Sequence, residues 1–392
     1  MGRGGTRGGA GRLPDRQRAS APRESRGPLE AASRDSQSLQ AGERPVTLPL
    51  ARAYPPMEAR LVDELPTGSD YQYEPKWDGF RCVVFRDGDK VDLMSKAGKP
   101  LARYFPDVVE TIRAVEADRF VLDGEIVVPH GGSLSFDELL LRIHPARSRV
   151  LTLSAAHPAT FIVFDLLVDA DGNSLVKEPL AGRRDALEAF VRDFVPKGAR
   201  VRLSPVTTSM VTVKKWFRSV GGGLDGVIAK RRDLAYLSGT RDGMQKMKSM
   251  RTAECVVGGF RYASKGKIMG SLLLGLYDDG GLLHHVGFTS NIPNPEKPAV
   301  TKRLEALAGK PGFTGQAPGG PSRWSTERSS EWEPLTPKLV VEVRYDHFSG
   351  GRFRHGTSFL RWRPDKPPAR CTIEQVEQEG RSALALLPRA RG

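Results

Sequence analysis

The hydrophobic pattern of the chain changes near residue 250, and this change sets the strongest limit on the fold. Before it, apolar runs typical of strands alternate with segments whose apolar residues recur every three or four positions, as in helices. After it, short apolar runs predict strands almost throughout. We therefore expect a mixed α+β domain followed by a β-barrel.

The first part carries the clearer local signals. Strand-like residues on both sides of Asp87-Gly88-Asp89 predict a hairpin between about residues 81 and 94. Apolar spacing predicts four helices, over residues 106–117, 136–143, 183–194 and 212–219. Continuous apolar runs predict two buried strands, over residues 120–128 and 160–168.

The second part contains five short strand-like segments, a number that suits a five-stranded OB barrel. They cover residues 255–260, 271–277, 283–288, 339–345 and 358–362. A helix near residues 300–308 and a stretch rich in Gly and Pro over residues 309–321 interrupt them. We place the two domains at residues 47–250 and 251–392.

Composition agrees with two domains and an extension. A chain of 392 residues with 39% hydrophobic content can bury two modest cores. Residues 1–46 are rich in Gly, Arg, Ser and Pro, and their nine Arg and five acids give a charge of +4. Because this tail has few apolar side chains to offset the entropy of ordering, we expect it to be disordered. A DNA tether and an inert extension are both open for it.

The chain is strongly basic, with a formal net charge of +14 and a pI of about 9.8. Such a charge favours an anionic polymer as partner, because each neutralised phosphate releases counterions. Nucleic acid is the expected partner. The alternative is a charge that only keeps the protein in solution.

No apolar run reaches the length of a membrane helix, and no secretory signal precedes the first domain, so we expect a cytoplasmic protein that does not bind membranes. Cys82, Cys255 and Cys371 lack Cys-x-x-Cys spacing and are expected to be buried thiols. His284 and His285 would point to opposite faces of a strand and are expected to be surface residues. No zinc site is predicted.

Lys76, in the segment Tyr73 to Gly79 (YEPKWDG), is the candidate nucleophile. A lysine ammonium is inert at neutral pH, so nucleophilic use requires an environment that lowers its pKa and a cation at the attacked phosphate. A lysine at the end of a surface strand is the alternative. The partners that such chemistry needs must therefore appear elsewhere in the chain.

Further segments of this kind follow Lys76 in order, each with groups suited to a nucleotide. They are Ser95-Lys96-Ala97-Gly98, Leu122-Asp123-Gly124-Glu125, Phe164-Asp165, Asp225 to Lys230, Lys246-Met247-Lys248 and Arg361 to Lys366. With YEPKWDGFR, LDGE, LDGVIAKR, GSLLLGLY and FLRWRPDK in this order, residues 56–366 resemble the covalent nucleotidyltransferase superfamily. Within it the chain looks most like the small bacterial ATP-dependent DNA ligases of the ligase C group.

The resemblance implies an adenylation domain followed by an OB-fold domain, and a reaction in three phosphoryl transfers. Lys76 would attack the α-phosphate of ATP and hold AMP. The adenylate would pass to the 5′-phosphate of a nick in double-stranded DNA, and the 3′-hydroxyl would then displace AMP. Such chemistry depends on positioning and charge neutralisation.

The resemblance also assigns side chains to the nucleotide. Glu74 would read the adenine amino group, and Phe164 would stack on the base. Arg81 and Lys96 would hold ribose or phosphate. The remaining basic residues, expected at the α-phosphate, the adenylate or the pyrophosphate, are Lys230, Lys246, Lys248, Arg241, Arg363 and Lys366, with Asp365 in the last motif. The first three would also lower the pKa of Lys76 by repulsion.

Glu125 and Asp225 are the carboxylates implied for a divalent metal ion, and Glu125 also for ribose. Oxygen ligands beside phosphate suit Mg²⁺, with Mn²⁺ as a substitute. The sequence departs from the family pattern at Lys96, where Arg is usual, at Asp225, where many relatives have Glu, and at Met244, where relatives carry Trp. These departures leave the exact contacts open.

Several functions share this chemistry. A capping guanylyltransferase or an RNA ligase would use GTP or RNA ends, and a catalytically inactive DNA-binding protein would use only the basic surface. A ligase module of an end-joining system would act through separate partners such as a Ku-like end binder. We predict a monomeric DNA ligase of DNA repair, associated with the nucleoid.

Overall fold

The computed structural model describes residues 48–220, 223–264, 266–319, 331–377 and 383–387. The tail predicted over residues 1–46 lies outside them, as does the end of the Gly/Pro-rich stretch. No helix among the described residues is long and apolar enough to cross a lipid bilayer. Strands and helices are numbered below in chain order.

Two sheets form the scaffold of the first part. One has the strand order β1 (Arg60–Leu61), β11 (Met244–Lys248), β10 (Gly226–Arg231) and β2 (Tyr71–Pro75). The other has the order β4 (Lys90–Ser95), β3 (Phe80–Asp87), β5 (Arg119–Val127), β8 (Thr160–Val168) and β9 (Val201–Leu203). A small hairpin, β6 (Pro129–His130) and β7 (Ser133–Leu134), follows β5.

Five helices accompany these sheets: α1 (Pro106–Arg113), α2 (Phe136–Arg142), α3 (Arg147–Ala156), α4 (Leu180–Phe194) and α5 (Met210–Val220). Apolar residues of α1 and α4 pack against β3, β5 and β8 in one core. The predicted hairpin, the two predicted strands and four of these helices are confirmed, within a few residues at their ends. Helix α3 was not predicted, because only Val150 and Ser154 of it are buried and its sequence has no apolar face.

The second part is a β-barrel built on β12 (Arg251–Tyr262), β13 (Met269–Tyr277), β14 (Leu283–Thr289), β15 (Glu333–Pro334), β16 (Val340–Tyr345) and β19 (Ser358–Trp362). The sheet order is β14-β13-β12-β16-β19, and β15 pairs with β12. A bridge between Thr289 and Thr357 joins β14 to the chain entering β19. Helix α6 (Lys297–Glu305) lies between the third and fourth long strands. The predicted OB fold of five principal strands is confirmed.

Two further features concern the second part. A two-stranded ribbon, β17 (Phe348–Ser349) and β18 (Arg352–Phe353), extends from the barrel after β16. Near the carboxyl end, Ala383 and Leu387 are buried against Trp77, which follows the candidate nucleophile. This short segment thus completes a core of the first part. The domain boundary near residue 250 stays a prediction.

The three cysteines are buried thiols, as predicted. The expectation of surface histidines is wrong for His285, which is 7% exposed, whereas His284 is partly exposed and hydrogen-bonds Asp278 at 2.9 Å. Burial lowers the pKa of His285 to about 3, so this side chain is neutral at physiological pH. The two histidines differ in exposure, as expected for neighbours on a strand. His285, however, lies on the buried side of β14.

Candidate active site

Strand pairing places Lys76 beside an acidic partner. Strands β2 and β10 are antiparallel with Val227 opposite Pro75, so the residues just outside them, Lys76 and Asp225, come together. The backbone N–H of Lys76 donates to the carbonyl oxygen of Gly226 at 2.9 Å. The Lys76 ammonium contacts the Asp225 carboxylate. The candidate nucleophile and a candidate metal ligand are therefore neighbours.

Glycines beside these residues allow the backbone to approach closely. A Cβ on Gly79 would lie 2.3 Å from the carbonyl oxygen of Ile126, so a side chain there would push the Lys76 loop off β5. Gly226 has a φ of +152°, and a Cβ there would lie 2.2 Å from the carbonyl oxygen of Met247. Close backbone packing therefore explains why glycine stands at both positions.

A pocket of about 200 Å³ opens between the two sheets of the first part. Eight predicted nucleotide or metal residues line it: Glu74, Lys76, Arg81, Lys96, Glu125, Phe164, Lys230 and Lys246. They come from segments spread over more than 170 positions of the sequence. Pairing of β2, β10 and β11 on one side and of β3, β5 and β8 on the other brings them to one cavity.

One end of the pocket is a buried charge pair beside an aromatic ring. Glu74 is 2% exposed and accepts hydrogen bonds from Lys230 Nζ at 2.9 Å and from Gln72 Nε2 at 3.0 Å. Lys230 Nζ also lies 4.4 Å from the centre of the Phe164 ring. Removing one partner of such a pair leaves an uncompensated buried charge, at a cost of about 3–5 kcal/mol. Lys230 therefore orients Glu74 here.

Arg81 is fixed by a second set of buried contacts. Its guanidinium donates two hydrogen bonds of 2.6 Å to Asp123, which is fully buried and also accepts one from Tyr236 Oη at 2.6 Å. Burial opposes the positive charge of Arg81, but Asp123 outweighs it, and the pKa of Arg81 is raised. The guanidinium lies 4.4 Å from the centre of the Phe164 ring. Arg81 thus lines the pocket with a permanent positive charge.

At the mouth of the pocket, one carboxylate holds two predicted cations. Glu58 pairs with Lys96 at 2.9 Å and with Arg241 at 3.3 Å. The Lys96 hydrogen bond is the main reason that the pKa of Glu58 is lowered. Lys96 lines the pocket, whereas Arg241 reaches it only through Glu58.

The charge balance at the nucleophile differs from the prediction. Burial alone would lower the pKa of Lys76, but the charge and hydrogen bond of Asp225, with smaller contributions from Glu125 and Asp78, raise it. The predicted lowering of the Lys76 pKa is therefore wrong, because the carboxylates outweigh the effect of burial. Burial and the charges of Lys76 and other cations instead lower the pKa of Lys246.

Glu125 lies in the same pocket with a perturbed carboxyl group. Burial raises its pKa to about 8, against the opposing charges of Arg81 and Lys76. Together Glu125 and Asp225 offer oxygen donors of the kind that Mg²⁺ takes, beside the ammonium of Lys76. The side chains present therefore fit the predicted metal ion.

A larger cleft of about 2160 Å³ separates the pocket mouth from the OB domain. Two ion pairs cross it. Lys248 Nζ lies 2.5 Å from Asp346 Oδ2, and Arg354 donates to both oxygens of Asp78 at 2.6 and 3.0 Å. Burial raises the pKa of Asp346, but hydrogen bonds from Lys248 and His355 lower it to a net value of about 2.

The last predicted motif lies outside the pocket lining. Arg363 contacts Glu254 and pairs with Asp365 at 2.8 Å, while Lys366 Nζ lies 2.5 Å from Glu254 Oε2. Neither Arg363 nor Lys366 lines the pocket. These residues therefore reach a nucleotide only if the OB domain moves relative to the pocket.

Five further residues around the site were not predicted from the sequence. Glu58 at the mouth, Asp123 and Tyr236 behind Arg81, and Asp346 and Arg354 across the cleft were given no role. Asp123 stands inside the motif Leu122 to Glu125, and its position two residues before Glu125 on one strand placed both on the same face. The other four are brought in only by tertiary contacts.

A lysine in a nucleotide-sized pocket between two sheets, followed by an OB barrel, defines the covalent nucleotidyltransferases as the class. Residues 50–248 match the family described as "ATP dependent DNA ligase domain", and residues 265–366 match "ATP dependent DNA ligase C terminal region". The chain belongs to the ATP-dependent DNA ligase family and is a DNA ligase enzyme.

Relatives agree with this assignment. The chain is 43% identical to "DNA ligase C2" of Mycolicibacterium smegmatis over 86% of its length and 98% of that protein. It is 41% identical to "DNA ligase C" of Mycobacterium tuberculosis, over 84% of the chain and 96% of the relative. It is also 30% identical to "Multifunctional non-homologous end joining DNA repair protein LigD" of M. tuberculosis, over 78% of the chain and 38% of the relative. These similarities support a bacterial ligase C group.

Proposed function

We propose that the enzyme seals nicks in double-stranded DNA through a covalent adenylate on Lys76. The observation that carries the proposal is the single pocket that gathers Lys76 with seven other predicted ligand residues. The family assignment supports ATP as the nucleotide. The contacts of the pocket support the role of each side chain.

The proposed reaction has three steps, each of which forms one bond to phosphorus and breaks another. Neutral Lys76 Nζ attacks the α-phosphorus of ATP, a P–N bond forms, and the bond to the β-phosphate oxygen breaks with release of pyrophosphate. An oxygen of the 5′-phosphate at the nick then displaces the lysine and takes the AMP. Finally the 3′-hydroxyl attacks that 5′-phosphate, so that a phosphodiester bond forms and AMP leaves.

The side chains divide the nucleotide between them. Glu74, oriented by Lys230, reads the adenine amino group, and Phe164 supplies the ring for the base. Lys96 and Arg81 contact ribose and phosphate. Lys246 has no carboxylate within ion-pair distance among the described residues. Its ammonium is therefore available to contact the α-phosphate of ATP. Lys248 joins it once Asp346 is released.

Proton release from Lys76 is the step that the pocket must enable. Asp225 stabilises the ammonium and keeps Lys76 protonated in the ligand-free enzyme. A Mg²⁺ or Mn²⁺ ion held by Glu125 and Asp225 would neutralise phosphate charge. When the Asp225 carboxylate turns to another cation, Lys76 loses the interaction that raises its pKa, and the amine becomes a nucleophile.

The cleft between pocket and barrel is the proposed path of nicked DNA. Its walls carry the cations Lys246, Lys248, Arg352 and Arg354, and the half-exposed aromatic residues Tyr262 and Phe288. Cations bind phosphate, and aromatic rings stack on bases or sugars. Arg363 and Lys366 serve the first step after the OB domain turns toward the pocket and orients pyrophosphate.

Repair of chromosomal DNA is the proposed cellular task, at the nucleoid. The repair name of the LigD relative supports it, although the chain spans only 38% of that protein. A Ku-like end binder is the partner to test first, with the ligase acting as a monomer. The tail over residues 1–46 remains a candidate DNA tether.

The deciding experiment incubates the protein with Mg²⁺ and α-labelled ATP, α-labelled GTP or labelled NAD, followed by denaturing electrophoresis. Sealing of a nicked DNA duplex is measured in parallel. We expect an acid-labile label from ATP only, with sealing, and neither in Lys76→Ala. Label from GTP alone would place the enzyme with capping activity, and no label with either metal ion would favour DNA binding without catalysis.

A further inference from the structure

Three side chains outside the nucleotide pocket meet on the surface of the first part. They are His130 in the hairpin β6–β7, Glu138 in α2 and His157 just after α3. One ligand atom from each lies within 4.8 Å of the other two, the one such group of three found among the described residues. We propose that they bind a divalent transition metal ion, with Zn²⁺ as the expected occupant.

The spacing of the two imidazoles suits tetrahedral zinc. His130 Nδ1 and His157 Nδ1 are 3.2 Å apart, with the ring planes at 83° to each other. Two nitrogens that each lie about 2.0–2.1 Å from a tetrahedral zinc ion are separated by roughly 3.3 Å. A hydrogen bond between two neutral imidazoles has a similar length. The carboxylate of Glu138 beside both rings favours the metal.

The surroundings fix the ligands and leave the site without an opposing charge. Ser135 Oγ accepts the backbone N–H of Glu138 at 3.3 Å, and the carbonyl oxygen of His157 accepts Arg142 Nη2 at 2.8 Å. The charge of Arg142 is balanced by Asp107, with two hydrogen bonds of 2.9 and 3.0 Å. Two imidazoles and one carboxylate, with water as a fourth ligand, select Zn²⁺ over Mg²⁺ or Ca²⁺.

An ion here would join three segments that are short or weakly held. Each strand of the hairpin β6–β7 has two residues, and a hairpin of this size is marginal by itself. Helix α2 begins with Phe136 and Asp137, which line the large cleft, and Arg354 lies 4.0 Å from the centre of the Phe136 ring. The ion would therefore stiffen one wall of the cleft without entering the nucleotide pocket.

The test measures zinc binding to the full chain after chelator treatment, by competition with a chromogenic chelator at neutral pH. We expect one zinc ion per chain in the wild type, and at least tenfold weaker binding in His130→Gln and His157→Gln. Hydrogen exchange of residues 129–134 should slow on zinc addition in the wild type only. Cobalt should give visible bands of a tetrahedral site without a thiolate charge-transfer band.

Two controls separate this site from others. Asp225→Asn removes a carboxylate of the nucleotide pocket, and His144→Gln removes a histidine of the α2–α3 loop that accepts the Ala146 N–H at 3.0 Å. Both should bind zinc as the wild type does. Equal binding by wild type and His157→Gln, loss of binding in Asp225→Asn, or no bound ion would overturn the proposal. Self-adenylylation, measured separately with ATP, tests the ligase mechanism independently.

Discussion

The nucleotide pocket and the last motif of the OB domain hold charged side chains in opposite ways. In the pocket, Glu74 and Lys230 are buried, Arg81 is partly buried, and all three line the cavity. In the OB domain, Arg363 and Lys366 pair with Glu254 and do not line that cavity. In the proposed mechanism, the groups used in every step are thus assembled in advance, whereas Arg363 and Lys366, used only in the first step, must first leave their ion pairs with Glu254.

This contrast leads to different expectations for variants in the two regions. A change at the heart of the pocket should stop all steps. A change in the last motif should stop the first step alone, and a change in the contacts across the cleft should act on the later steps. The following tests run from the largest expected effect to the smallest.

Replacing Lys76 should have the largest effect. Lys76→Ala removes the proposed nucleophile, and Lys76→Arg keeps a cation for Asp225 but has no free amine. Both should lower self-adenylylation and overall sealing by at least about 10⁴-fold, measured with α-labelled ATP and a nicked duplex. Labelling of either variant at the wild-type rate would remove the nucleophile assignment.

Replacing Arg363 and Lys366 together by Ala should separate the steps. Self-adenylylation should fall roughly 100-fold, because pyrophosphate loses its orientation, while sealing of a pre-adenylylated nick changes by less than about threefold. Arg361→Ala is the matched control, since Arg361 lies two residues before Arg363, is exposed, and pairs with Glu342 on the neighbouring strand β16. Equal loss in both assays would show that the last motif is not specific to the first step.

Removing the ion pair from Arg354 to Asp78 should have the reverse pattern. Arg354→Gln takes away two hydrogen bonds across the cleft and one cation of the proposed DNA path. We expect sealing of a pre-adenylylated nick to slow about tenfold, corresponding to about 1.4 kcal/mol, with self-adenylylation nearly unchanged. A variant that loses self-adenylylation instead would place Arg354 with the nucleotide.

The smallest effect concerns the two lysines in the ligand-free enzyme. The pKa of Lys76 is raised and that of Lys246 is lowered, so at any pH below both values Lys246 has the larger neutral fraction. An amine-reactive reagent at pH 8 should therefore modify Lys246 several-fold faster than Lys76, as read by peptide mass spectrometry. Asp225→Asn should reduce the difference between the modification rates of Lys246 and Lys76. Faster modification of Lys76 would contradict the proposed role of Asp225.

The sequence predicted the fold well where local pattern and structure coincide. The continuous apolar run of β8 and the turn at Gly88 are local properties, and both appear as expected. Helix α3 was missed because its burial comes from contacts with α2 and α1 rather than from an apolar face. Local pattern therefore predicted four of the five helices of the first part, but not the strands β10 and β11, which carry Lys230 and Lys246.

The site was predictable as a set of residues but not as a balance of charges. Eight side chains named from their motifs line one pocket, because pairing of the strands brings the motifs together. The raised pKa of Lys76 was not predictable, since it depends on how closely Asp225 approaches and on the burial of both. Likewise, the distance of Arg363 from the pocket reflects a domain arrangement that no local signal encodes.

The burial of Ala383 and Leu387 against Trp77 has a practical consequence for handling the enzyme. Trp77 is the residue next to Lys76, and its indole N–H donates to Ser204 Oγ at 3.0 Å. An affinity tag or fluorescent fusion inserted at residues 383–387 would therefore disturb the floor beneath the nucleophile, although it lies more than 300 positions away in sequence. Labels are better attached to the exposed turn at Gly281.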